Sequence, residues 1–505
     1  MALQDQEQGH EQAQERGAPR AAAPAARPRI GVPGVVFFVV AASAPLTVAA
    51  GGIPQSLGVT RVLGIPLLYV LIALVLALFS AGYAAMSRHL PGAGAFYAYA
   101  ARGLGRVAGV AAACVALLAY NAMQIGLAGL FGATTADFLH ARTGLEVPWW
   151  AVVSAAIALV GVLGYRRVDV SVRVLAVLLA LEFGTVLVFD VAQFAHAPQG
   201  VSATPLSWGS AVHGEVGVAL CFVFAAFMGF ESAALYGEEC RDPRRTVPRA
   251  TYTAVALIGG FYALSAWAMI TGAGTSRAVA DAASQGPDMI FALGARSLGP
   301  AFADLAQLFL ITSILAALVS FHNAVARYVR SLGREGVLPA GLGVAHPRHG
   351  SPHRGSLAQT GVTVMVVAVF ALAGRDPVDD VFTWLTNLGA LGVILLLLTT
   401  SAAVIAFFSR TGSPREPLWN RLLAPALSGA ALAVIFWLAL TNFGVQLGVG
   451  PHNPLRWALP GLVLAAAAAG AGWGLRLRRS RPVTYGRIGG AGAEASDEEA
   501  VTESP

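Results

Sequence analysis

The chain has 505 residues, of which 56% are apolar and only 12% charged, and its mean hydropathy is +0.65. That balance excludes an ordinary soluble domain of this size and makes lipid the solvent of the fold. The net charge of +6 comes from arginine, because the chain contains no lysine, and Cys114, Cys221 and Cys240 form no C-x-x-C pair, which argues against a disulfide framework or a zinc site.

Residues 1–29 are rich in Gln, Glu, Ala, Pro and Arg and read as a disordered cytoplasmic tail. Arg27 and Arg29 precede an apolar run with a small-residue Ala42-Ser43-Ala44 site, the outline of a cleaved signal. Pro45 would follow that cut directly, and the apolar stretch runs on to Pro54, so the segment is expected to be retained.

A bilayer core about 30 Å thick needs roughly 20 apolar residues of helix. About twelve such windows follow in order, at 30–57, 62–87, 107–138, 148–166, 170–194, 212–236, 249–272, 300–331, 357–373, 378–408, 422–443 and 455–475. Arginine placement tests the count. One set of alternate loops holds only Arg61, Arg142, Arg277, Arg296, Arg375 and Arg456, while the other set and the two tails hold the remaining 27 of 33. A missed or invented span would scramble this alternation, so the asymmetry predicts an even number of spans with both termini cytoplasmic. Residues 478–505 turn Arg-rich, then Gly-rich, then acidic, and read as a second disordered tail.

Two spans carry flaws. Span 1 reads VVFFVVAASAPLTVAAGGIP, and Pro45 near its middle removes an N–H and clashes with the preceding turn, so the helix is expected to open around Ser43 to Leu46. Span 6 reads CFVFAAFMGFESAALYGEE, with Gly229 beside the ionisable Glu231, a pairing that is costly in lipid and sensible beside a cavity. The flaws lie five spans apart. That offset predicts an all-α polytopic protein with an inverted 5+5 repeat, discontinuous helices 1 and 6, and two extra C-terminal helices. Residues 30–477 then form the transporter domain, with repeats at about 30–194 and 212–408 and extra helices at about 422–475. N–H groups after Pro45 suit a carboxylate, and carbonyls freed before Gly229 suit an ammonium, so the pocket is shaped for a zwitterion.

Phe227 to Ala250, with F-x-G-F-E-S-A followed by G-E-E-C-R-D-P-R-R-T-V-P-R-A, closely resembles the sixth span and following loop of the amino acid-polyamine-organocation superfamily of permeases. Leu90 to Tyr97 resembles that family's P-x-G-G-x-Y element, with Ala93 in place of the first paired glycine, and Asn323 to Pro339 with His346-Pro347-Arg348 resembles its stretch leaving span 8. The likeness extends over nearly all of 30–475. It implies the 5+5 bundle and an amino acid or related amine as substrate. It places Ser43, Ala44, Pro45, Leu46 and Thr47 at the span 1 break and Ala226, Phe227, Gly229, Phe230 and Glu231 at the span 6 break. Span 1 departs by carrying Ala-Pro-Leu-Thr where many relatives have a glycine-rich turn. The gating Trp of the arginine/agmatine branch is Ala225 here, with Phe222, Phe224 or Phe227 as substitutes, which counts against arginine selectivity.

Glu182 lies 13 residues after Asp169, roughly 20 Å along span 5 and near the bilayer centre. A charge there costs at least ~2.5–3.5 kcal/mol, so it is protonated, paired or hydrated, either coupling protons or hydrogen-bonding a neighbouring helix. Glu231 either couples protonation to closure over substrate or holds the opened backbone in shape. Thr312 and Ser313 in span 8 form a candidate sodium site with span 1 carbonyls, or pack helices. His346, His349 and His353 have superficially metal-like spacing within a Pro-, Arg- and Gly-rich loop, and no metal or other cofactor is expected beyond a coupling proton or sodium ion. Glu238, Glu239, Arg241, Asp242, Arg244 and Arg245 are expected to steady an inner gate.

The function expected is secondary active amino acid transport across the cytoplasmic membrane by alternating access, proton-coupled or by exchange, with a polyamine or other amine carrier as the alternative. A membrane-embedded enzyme would show H-E-x-x-H, G-x-S-x-G or a P-loop, which are absent from the sequence, and a sensor would carry a large soluble domain. The implied partners are the bilayer and a small-molecule substrate, not nucleic acid, and the oligomeric state is left open.

Overall fold

The computed structural model describes residues 30–89, 95–166, 172–231, 240, 242–412 and 416–490. Among these residues the architecture is helical without a named strand, and 11 helices are long and apolar enough to cross a membrane. In order they are span 1, Val32–Thr60; span 2, Ile65–Ser87; span 3, Arg106–Thr143; span 4, Trp149–Arg166; and span 5, whose apolar part is Val177–Ala195. Span 7 (Arg245–Ala273), span 8 (Pro300–Arg334), span 9 (His353–Leu372), span 10 (Pro377–Thr411), span 11 (Trp419–Thr441) and span 12 (Leu455–Ser480) follow. The remaining expected span, the sixth, begins as Val216–Ala225 and is interrupted there, too short to qualify as a crossing helix.

Span 2 packs on span 7, span 3 on span 8, and span 4 on span 9. Each of these three helices therefore lies against its counterpart five places later, as expected when two inverted halves interlock around a pseudo-twofold axis. Span 3 also packs against spans 10 and 12. Its 38 residues make a rod of about 57 Å, longer than the hydrocarbon core, so it tilts or projects beyond it. Leu74, Val162, Val191, Leu372 and Trp437 are exposed apolar residues scattered along the spans, and together they present an oily perimeter suited to acyl chains.

The ends of the bundle are fastened by polar contacts. Arg88 at the end of span 2 grips Glu416 through both carboxylate oxygens, at 2.8 and 3.0 Å, and Arg410 donates to the Gly103 carbonyl at 2.9 Å. Ile30 and Cys240 pair as an isolated parallel bridge, joining the approach to span 1 with the stretch that follows span 6. Residues 478–490, assigned above to the C-terminal tail, continue span 12 to Ser480 and form a further short helix, Pro482–Arg487. That helix docks on the bundle. The Gly489 N–H donates to Glu335 Oε2 at 3.2 Å, Arg102 Nε donates to the Gly489 carbonyl at 3.1 Å, and Arg106 donates to the Gly486 carbonyl at 2.8 Å.

Candidate functional site

Span 1 opens where proline requires it to. The helix Val32–Ala42 ends at Ser43, Ala44 adopts a left-handed φ of 45°, and a new helical segment starts at Pro45. A left-handed non-glycine residue is uncommon, and here it turns the chain so that Pro45 becomes the first residue of a helix rather than an interior one. The second half then runs through Pro45–Thr47, a wide π-helical turn at Val48–Gly52, and Ile53–Thr60. Ser43 closes the first half by donating its hydroxyl to the Val40 carbonyl at 2.7 Å, and its own carbonyl accepts from the Tyr262 hydroxyl of span 7 at 2.9 Å. The opening N–H groups of the second half, at Leu46 and Thr47, lack an intrahelical partner by helix geometry.

Span 6 unwinds after Ala225 through the turns Phe227 N–H to Phe224 O, 3.0 Å, and Met228 N–H to Ala225 O, 3.1 Å. Gly229 has a φ of +104°, a region that a side chain rarely tolerates, and a Cβ built on it would stand 3.1 Å from the Ala42 Cβ. The two interruptions therefore abut. Ser43, Ala44, Leu46, Thr47, Phe224, Ala226, Phe227, Phe230 and Glu231 are all buried, so the junction is closed over in this conformation.

Both carboxyl groups singled out from sequence are also buried, and each is tied to an interruption. Glu231 Oε1 accepts from the Tyr120 hydroxyl of span 3 at 2.8 Å, and Oε2 accepts from the Gly229 N–H at 3.0 Å. It thus holds the unwound backbone of its own span while reporting to span 3. Glu182 Oε2 accepts from the Ser313 hydroxyl at 2.7 Å, and Ser313 Oγ in turn accepts from Thr47 Oγ1 at 3.4 Å. One hydroxyl of span 8 therefore links a buried carboxyl of span 5 to the first turn of the second half of span 1.

The suggested sodium pair divides in its contacts. Ser313 faces Thr47, whereas the Thr312 hydroxyl donates to its own helix at the Phe309 carbonyl, 2.9 Å. Ala225 is half-buried, and of its proposed aromatic substitutes Phe227 packs beside Tyr69 and Tyr262, both ring centroids at 6.2 Å. The rings of His346, His349 and His353 cluster, but His346 Nδ1 accepts from the Arg348 and His349 N–H groups, and no metal-competent trio of ligands occurs among the described residues. Desolvation, and after it the charges of His349, His353 and Arg348, hold the His346 imidazole below its usual pKa. Asp242 lies 3.7 Å from Arg245, while Glu238, Glu239, Arg241 and the side chain of Arg244 fall outside the described residues, as do Leu90 to Gly94.

Sequence reasoning missed Tyr120 and Tyr262. Their signal was present in principle, since a tyrosine inside an apolar span needs a partner for its hydroxyl, but the partner lies 111 residues away for Tyr120 and 219 for Tyr262.

A sequence profile of the family described as amino acid permease matches residues 30–465. The low-affinity putrescine importer PlaP of Escherichia coli (strain K12) is 26% identical over 409 residues, covering 78% of this chain and 84% of that protein. The branched-chain amino acid permease BcaP of Lactococcus lactis subsp. cremoris (strain MG1363) is 22% identical over 400 residues, covering 74% of this chain and 82% of that protein. The L-asparagine permease of Salmonella typhimurium (strain LT2) is 26% identical over 321 residues, covering 61% of each. The profile spans most of the chain, including both interruptions, and the relatives are transporters rather than enzymes. The chain belongs to the amino acid permease family, within the amino acid-polyamine-organocation superfamily.

Proposed function

We propose that this protein is a secondary active permease of the cytoplasmic membrane that moves an amino acid or a related small amine by alternating access, with both termini cytoplasmic. The observation that carries the reading is the abutment of Gly229 on Ala42, which brings the broken ends of two half-helices into one buried place. N–H groups of Leu46 and Thr47 would receive the substrate carboxylate, and carbonyls of Ala226 to Met228 would receive its ammonium. Thr47, Phe224, Phe227 and Phe230 would shape the side-chain pocket.

Protons are the proposed coupling ion, carried by Glu231 and Glu182, because each carboxyl touches a group whose position depends on how a half-helix sits. Sodium bound by Ser313 with span 1 carbonyls is the second candidate. The likeness to a putrescine importer supports a polyamine as the alternative cargo, in which case Glu231 or Glu182 would bind an ammonium directly. Proteoliposome uptake of labelled branched-chain amino acids, asparagine and putrescine, under an imposed proton and then a sodium gradient, tests these readings. Accumulation driven by neither gradient, with no exchange, would overturn the permease proposal.

A further inference from the structure

Span 5 carries a second interior acid that the scheme above does not use. Asp190 is 1% exposed, and its Oδ2 accepts from the Ser265 hydroxyl of span 7 at 2.9 Å. Its Oδ1 is buried with no hydrogen-bond partner. Eight residues separate Asp190 from Glu182, about 12 Å along the helix and some 80° around it, so the two acids face different neighbours. Glu182 meets span 8 through Ser313, and Asp190 meets span 7 through Ser265.

Among the described residues, no counter-charge pairs with Asp190. From span 7 the group that faces it is Ser265. One turn onward, Gln193 is engaged with Ser297 of the helix Met289–Leu298 at 2.9 Å, and Arg296 on that helix is exposed. From span 8, Ser313 is committed to Glu182, and on span 5 itself the His196 ring is bonded to the Ala192 carbonyl at 3.0 Å. Among the described residues no cation stands beside it, and an ionised carboxylate with one oxygen bare costs far more in such a place than the neutral carboxylic acid does. Ser265 lies one helical turn after Tyr262, the residue that holds the Ser43 carbonyl at the span 1 break. Any movement of span 7 that alters the break therefore also alters what reaches Asp190.

We infer that Asp190 is a second proton-carrying residue of the transport cycle, holding its proton while spans 5 and 7 are closed on each other and giving it to water when they part. The inference rests on the proton-coupled permease reading above. On release, the O–H bond at Oδ1 breaks, the proton passes to an entering water, and the carboxylate keeps the Ser265 hydrogen bond and gains one from water.

Two measurements on the full-length protein test it. Infrared spectra of the wild type recorded against pH should contain a carbonyl band of a protonated carboxyl that is missing in Asp190→Asn and shifted in Ser265→Ala. Identical bands in wild type and Asp190→Asn would overturn the assignment. In proteoliposomes given labelled L-leucine, L-asparagine or putrescine in turn, Asp190→Asn should lose proton-driven accumulation to a far greater degree than it loses exchange, and Asp190→Glu should restore accumulation. If the wild type is driven by protons and Asp190→Asn is driven equally, the Asp190 proposal alone fails. If the wild type accumulates nothing under a proton gradient, the coupling reading fails and this inference with it.

Discussion

Gly229 of span 6 rests against Ala42 of span 1, so closely that an added methyl group would stand 3.1 Å from the Ala42 side chain. With φ at +104°, Gly229→Ala meets both a forbidden backbone region and a crowded neighbour. The backbone strain alone is on the order of 1–3 kcal/mol. The expected outcome is protein that still reaches the membrane but transports at least about tenfold more slowly, since 1.4 kcal/mol corresponds to that factor. Uptake normalised to the amount of membrane-inserted protein checks it, and wild-type uptake would refute it.

Tyr120→Phe removes the hydroxyl that donates to Glu231 Oε1. A buried acceptor left unpaired costs about 1–3 kcal/mol, so the melting temperature should fall. Glu231→Gln keeps the shape of the side chain while removing its titration, and should flatten the pH profile of uptake. Because the two residues share one contact, the double variant should be less damaged than the sum of the singles. Strict additivity in a thermal-shift cycle would show that the contact contributes nothing.

Ser313→Ala should impair transport, because Ser313 is the hydroxyl between Glu182 and Thr47. Thr312→Val should leave uptake close to wild type, because the Thr312 hydroxyl is bonded to its own backbone. Comparing the initial rates of the two variants decides the matter. Equal damage would place a shared ion at both residues instead.

Glu335→Ala should loosen the docked C-terminal helix. Glu335 accepts from the Tyr97 hydroxyl at 3.1 Å and from the Gly489 N–H at 3.2 Å, and it is 3% exposed. Removing it should lower stability by about 1–3 kcal/mol, read as a fall in melting temperature in detergent. The same variant should increase protease cleavage within 482–490, and unchanged cleavage would argue that the helix is held by other contacts.

The spans and both interruptions were legible in the sequence because their causes are local. Twenty apolar residues declare a crossing, Pro45 cannot sit inside a helix, and Gly229 beside Glu231 marks a place where lipid is absent. What lies across the interruptions was not legible. Tyr262 holding Ser43, Tyr120 holding Glu231 and Ser265 meeting Asp190 are contacts between distant parts of the chain, set by the angle at which whole helices cross. Asp190 shares its oily span with Glu182 and was not singled out, because only packing reveals that no cation among the described residues pairs with it. The docked helix at 482–487 was hidden for a different reason: its Arg-rich composition resembles a solvated tail, and its hold on the bundle runs largely through backbone carbonyls that composition does not encode.

The pairing of Ile30 with Cys240 has a mechanical corollary. Together with the seat of Gly229 on Ala42, it yokes the opening half of the first crossing to the sixth at two separated points, Gly229 and Cys240. A bar pinned twice does not pivot about either pin. These two pieces should therefore swing as one lever, and a disulfide staple joining Ile30→Cys to Cys240 should leave turnover running.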